Sequence, residues 1–225
     1  MIWPALGDVL PQAVAIAISP IPIVLVIIVL VSAPGGVKGV AFTLGWTTGV
    51  FATTAIAGAI AQGANVASDP DAADAGSLLQ VALGVLFVFL AVRQWRRRPA
   101  SGAEPAEPTL FSAIGSMSAP RILGIGAVAA VANPKNLPLT ISAGVSIAQA
   151  GVGGADLVTA TVVFSLIASA GIIGLVIVTL ALGDRVRMQL AELKGWLLSN
   201  NATIVTVIFL LLGAKMLGSG LAIAG

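Results

Sequence analysis

The chain has no cysteine and no histidine in 225 residues. The first absence excludes disulfides, thiol redox chemistry and thiolate metal sites, and the second excludes imidazole ligands and histidine proton relays. Charge is also scarce: only 9% of residues are Asp, Glu, Lys or Arg, and no cluster of carboxylates could hold a metal. There is no phosphate-binding loop and no Ser–His or Cys–His pair to activate a nucleophile. These absences argue for moving something rather than converting it. No enzymatic activity, no cofactor or metal, and no nucleic-acid partner is expected.

What the chain has in excess is apolar sequence. It is 58% hydrophobic with a mean hydropathy of +1.06, far outside the range of soluble domains. Gly and Ala are plentiful, as expected where membrane helices approach closely. The chain has room for one bundle of about six helices and for no separate catalytic domain. The first residues carry no basic segment and run straight into a long hydrophobic stretch, so a cleaved signal peptide is not expected.

Six spans can be drawn, at about 9–32, 38–61, 77–95, 122–148, 155–182 and 202–222. Nine of the eleven basic residues then fall on one side: Lys38, Arg93, Arg96, Arg97, Arg98, Arg121, Arg185, Arg187 and Lys194. The opposite connections hold Asp69, Asp71, Asp74 and Asp156 and no base. The positive-inside rule therefore predicts a multi-pass protein of the bacterial inner (plasma) membrane with both termini outside. Residues 96–121 read as a Pro- and Arg-rich cytosolic linker, first a topology determinant and secondarily a contact for anionic membrane lipids. Val186, Leu190, Leu193 and Leu197 share one face of 184–198, with Trp196 at the interface; a short amphipathic helix on the cytoplasmic surface is predicted there.

Three spans per half make the two halves antiparallel, the arrangement of an inverted repeat. The fold expected is all-α and integral to the membrane, with repeats at 1–95 and 122–225. Pro20 and Pro134 match in spans one and four. Residues 86–93 resemble 208–215, aligning Phe87 with Phe209 and Arg93 with Lys215. In spans two and five, Gly45, Gly49, Ser165, Ser169 and Gly174 are predicted to form close helix contacts.

The chemistry concentrates at two proline motifs that break helices 1 and 4. Ser19-Pro20-Ile21-Pro22 interrupts the first span and Asn133-Pro134-Lys135-Asn136-Leu137-Pro138 the fourth. Proline lacks an N–H and clashes with the carbonyl four residues earlier. Pro20 and Pro22 are thus predicted to free the carbonyls of Ile16 and Ile18, and Pro134 and Pro138 those of Ala130 and Pro134. Such a break is tolerated only inside protein or beside a water-filled cavity. Lys135 lies deep in its span, where a charge costs at least ~2.5–3.5 kcal/mol on insertion scales, and no Asp or Glu in the spans can pair with it. Three states stay open: an uncharged amine, an ammonium bonded to freed carbonyls, or an ammonium awaiting an anionic substrate. Ser19, Pro20, Pro22, Asn133, Pro134, Lys135, Asn136 and Pro138 are the candidate substrate-binding residues, with Gln12 a weaker one. Lys215 is expected to snorkel to the outer interface.

These motifs carry a resemblance. Ser-Pro-Ile-Pro in span one, Arg-Gln-Trp-Arg-Arg-Arg-Pro at 93–99, Asn-Pro-Lys-Asn-Leu-Pro in span four and Leu-Gly-Ala-Lys-Met-Leu-Gly at 212–218 resemble the GAP family of the lysine-exporter (LysE) superfamily. That family comprises the glycopeptidolipid- and sulfolipid-addressing proteins. The resemblance covers essentially the whole chain and implies an exporter-like protein of the cell envelope, associated with moving glycolipids to the surface. Its substrate would be an anionic small molecule or lipid. An accessory or scaffold protein serving a separate exporter is the alternative, and pairing as a homodimer is left open.

Overall fold

The computed structural model describes residues 2–32, 36–63, 70–96, 114, 116–152 and 154–223. Most of the expected linker and the connection carrying Asp69 lie outside these residues. The described residues are all helical, without a strand. Nine helices follow among them in order: α1 (Trp3–Ala17), α2 (Pro20–Ser32), α3 (Val37–Gly63), α4 (Pro70–Arg96), α5 (Ala119–Val131), α6 (Asn136–Gln149), α7 (Ala155–Ala168), α8 (Ala170–Leu182) and α9 (Arg187–Ile223).

Apolar side chains point outward as readily as inward: Leu44 is 56% exposed, and Ile60 and Leu211 are each 68% exposed. Helices apolar all round belong in lipid. Two of them, α3 and residues 187–218 of α9, are long and apolar enough to cross a membrane. The bent pairs α1–α2 and α7–α8 bring the number to four if each is one crossing. The places of the other two expected spans are taken by α4 and by α5–α6, where α5 is a short apolar helix of 13 residues.

Packing follows the small residues. α3 lies along α5 and α6, α1 and α2 lie against α7 and α8, and α4 runs along α9. Gly45 and Gly126 let the α3 and α5 backbones touch, while Gly171 brings α8 against the Ala17 carbonyl at the end of α1. Phe87 and Phe209 stack at the α4–α9 seam, with ring centroids 5.6 Å apart. They are the two phenylalanines that the internal resemblance aligns.

The helix breaks are where expectation and structure diverge most. α1 and α2 meet at a 50° bend, as the proline motif predicts. Pro20 and Pro22, however, stand first and third in α2, and Pro138 stands third in α6. In the first turn of a helix the missing N–H has no partner to lose, so these three prolines start half-helices instead of interrupting them. By place in its helix Pro22 corresponds to Pro138, each third, whereas Pro20 stands first in α2 and Pro134 precedes α6. Nor is the Ile16 carbonyl free, because it accepts the Ser19 N–H at 3.0 Å. That tighter turn leaves open the Ala15 carbonyl, which Ser19 would have reached in a continuous helix.

A further bend, of 58°, falls between α7 and α8 in span five. No proline marks it. The Ser169 N–H is shared between the carbonyls of Ser165 at 3.0 Å and Leu166 at 3.2 Å, and Thr47 Oγ1 donates to Ser169 Oγ at 3.0 Å. Sharp bends arise at such Ser and Gly positions. At the far end, residues 187–198 are the beginning of α9, a single helix of 37 residues and roughly 55 Å at 1.5 Å per residue. The face predicted for an interfacial helix does turn inward, with Leu190 and Leu197 buried, but no break separates it from the last apolar stretch.

Candidate functional site

Four residues, Ala132 to Lys135, separate α5 from α6. Pro134 has no N–H to return to Ala130, and α5 stops at Val131, three residues before it. The side chain of Asn133 then takes over the capping: its Oδ1 accepts the Lys135 N–H at 3.0 Å. The Asn133 carbonyl accepts the N–H groups of Asn136 at 3.0 Å and Leu137 at 2.9 Å. Asparagine suits this role because its side chain imitates a turn of backbone.

The capped turn aims Lys135 into the protein. Its side chain is 6% exposed, and Nζ donates to the Ala15 carbonyl at 3.4 Å. The acceptor is the carbonyl left open by the turn at Ser19. Each break thus supplies what the other lacks: one a carbonyl without an N–H, the other a cation without a carboxylate. The contact is long, and an ammonium has three donors, so capacity remains for a second acceptor.

That capacity faces a large cavity. About 950 Å³ of space lies between α2, α4, α5 and α9. Ser19, Pro22, Asn133, Pro134 and Lys135 line it near the two breaks, Arg93, Gln94 and Arg121 line it near the basic ends of α4 and α5, and Asn201 of α9 completes the polar lining. Between these polar ends the walls are apolar, with Leu25, Leu90, Ile125, Val128 and Phe209 among them. Ten residues of helix from Arg121 to Val131 put roughly 15 Å between the ends. Basic side chains at both ends and apolar walls between them give the chamber a chemistry suited to an anionic amphiphile.

The other candidates lie elsewhere. Pro20 is buried and does not line the cavity, and Pro138 lines a smaller cavity. Gln12 is buried near Lys215 of α9, its amide turned to donate to the Asp8 and Val9 carbonyls of its own helix. Asn136 is fully buried, and neither amide atom has a partner among the described residues. Since no hydrogen bond is lost on its removal, Asn136→Leu is expected to keep or raise stability by about 1 kcal/mol. Thermal unfolding in detergent checks this, and a clear loss of stability would show an unrecognised partner.

Sequence reasoning gave Arg93 and Arg121 no binding role, placed Gln94 only within the family motif at 93–99, and passed over Asn201. The signal for the two arginines was their position, one at the C-terminal end of a span and the other at the N-terminal start of the next. Gln94 carries a signal only as a member of the 93–99 motif, and no feature of the sequence singles out Asn201.

Fold and cavity together define a polytopic helical membrane protein with a large, mainly apolar, cation-tipped chamber at its helix breaks. The family model described as "Sap, sulfolipid-1-addressing protein" matches residues 9–222, and the chain belongs to that family. No curated protein and no solved structure matches it. Membership agrees with the GAP-type resemblance of the motifs and ties the chain to the handling of sulfolipid or glycolipid.

Proposed function

We propose that the protein carries an anionic lipid or glycolipid across the inner membrane, exposing one site alternately to either side and making or breaking no covalent bond. The observation that carries this is the cavity, with Lys135 at the helix breaks, Arg93 and Arg121 at the opposite end and apolar walls between. The anionic headgroup engages the cations while the apolar body lies along the walls. The basic end faces the cytoplasm, so the chamber is open inward, and export is the direction that family and topology favour.

The six-span inverted repeat and the LysE-type architecture belong to this proposal. Two contacts support the repeat. Thr47 bonds to Ser169 across 122 residues of sequence, and Phe87 stacks on Phe209 across the same separation. Residues lying on a two-fold axis touch their own counterparts, so a shared separation is what a pseudo-two-fold between antiparallel halves produces.

One observation favours the accessory reading: the Lys135 ammonium has a protein acceptor already. Purified protein in liposomes separates the two. A fluorescent, NBD-labelled sulfated glycolipid is expected to cross the bilayer faster with the protein than without, while NBD-phosphatidylcholine does not. Failure of the protein alone to move the anionic probe would leave the accessory role standing and overturn transport.

A further inference from the structure

The smaller cavity, of about 230 Å³, lies between α4, α6 and α9. Its walls repeat those of the large one. Ile21, Pro22 and Leu25 are second, third and sixth in α2 and line the large cavity. Leu137, Pro138 and Ile141 are second, third and sixth in α6 and line the small one. The α4–α9 pair serves both cavities with opposite ends. The separation that joins Phe87 to Phe209 also carries Leu83 of the small cavity onto Val205 of the large, and Gln94 of the large onto Met216 of the small.

Resting on the transport reading above, we propose that the small cavity is the outward-facing counterpart of the large one. It is a release subsite for the same amphiphile, held narrow here by Lys215. Pro11 sits inside α1 and disturbs the carbonyl ladder of that turn. The neighbouring Asp8 carbonyl accepts from Lys215 Nζ, and the buried Gln12 amide, turned to donate to the Asp8 and Val9 carbonyls, lies beside that contact. This bond ties α1 to α9, which otherwise share few contacts, and it sits next to Met216 in the small cavity's wall. Arg93, aligned with Lys215, lines the wide cavity instead. The same position in the two repeats is thus latched on one side of the membrane and open on the other.

The linings differ in a way that suits release. Lysine and arginine line the large cavity, and among the described residues none lines the small one. Ser142, Ser146 and Gln149 form one stripe of α6 there, offering neutral hydrogen bonds to hydroxyl groups and no charge to hold an anion.

The absence of native cysteine makes a single introduced thiol the only reactive one. Ser142→Cys reports the small cavity and Ala129→Cys the large, each read by its rate of reaction with a membrane-impermeant maleimide in vesicles of defined orientation. Adding Lys215→Met is expected to speed outer labelling at 142 about tenfold and to slow inner labelling at 129, and Lys215→Arg is expected to keep both at their original rates. Unchanged rates overturn the proposal, and so does a rise at both positions, which would mean general loosening. If Lys215→Met does not fold, Lys215→Gln, shorter and uncharged, replaces it with the same expectation. No substrate is present in this measurement, so its failure and the failure of lipid transfer are separate results.

Discussion

Lys135→Met is expected to reduce transfer of an anionic lipid probe in liposomes by about 10- to 100-fold, because a hydrogen bond to a charged partner contributes about 1.5–3 kcal/mol. Methionine keeps the length of the side chain and removes only the ammonium. Two effects follow from that removal and must be told apart. The ligand loses its cation at the helix breaks, and the Ala15 carbonyl loses its donor. An unsatisfied buried carbonyl costs about 1–3 kcal/mol of stability, which lowers the amount of folded protein. Normalised to folded protein, transfer of the anionic probe is expected to remain depressed, with the loss in apparent KM as well as in rate. Lys135→Arg keeps the charge and is expected to recover part of the transfer. If Lys135→Met, normalised in this way, moves the sulfated probe as fast as the parent protein, the ammonium has no part in binding and serves only as a brace between α1 and the start of α6.

The two helix breaks are legible in the sequence, and what is not legible there has physical reasons. A proline doublet within an apolar run cannot continue a regular helix, so both proline breaks were legible, as was the isolation of Lys135 from any carboxylate. The sequence does not show which turn a proline occupies. Pro20, Pro22 and Pro138 start half-helices in the structure, yet a helix-starting proline and a helix-breaking one are written alike. The bend at Ser169 has no proline at all. It depends on a shared N–H and on Thr47 from a different helix, and that partner is a matter of tertiary position. Arg93 and Arg121 satisfied the positive-inside rule so fully that nothing required a second role for them, although a vestibule cation and a topology cation occupy the same place at a span end. The change from amphipathic to apolar pattern near residue 200 was read as a boundary between elements. Helix α9 passes through it, because a change of surroundings from interface to lipid alters the side chains a helix wants and leaves its backbone bonds intact.

Gly45→Val is expected to be the most disruptive single substitution for folding, costing about 3 kcal/mol or more by overpacking. A Cβ at Gly45 would lie 2.0 Å from the Leu123 carbonyl oxygen, and one at Gly126 would lie 2.3 Å from the Phe42 carbonyl oxygen. Each glycine of this pair faces the backbone of the other's helix, so no flexible side chain can swing aside and the helices themselves must separate. In a bilayer the loss is not offset by repacking against water, because lipid already solvates the apolar faces and close van der Waals contact does most of the joining. Separation would also reach the site, since α5 carries the cavity wall from Arg121 to Val128 and leads into the Asn133 turn. Gly126→Val should therefore reproduce both defects, loss of folded protein and loss of Lys135-dependent transfer in what remains. Gly174 supplies the contrast: nothing lies within 4 Å of its added methyl, and Gly174→Ala should stabilise α8 by up to about 1 kcal/mol through helix propensity alone. Thermal unfolding in detergent, followed by circular dichroism, ranks the three. A Gly45→Val protein that unfolds at the same temperature as Gly174→Ala would mean that α3 and α5 do not meet backbone to backbone, and the cavity wall built on that contact would have to be redrawn.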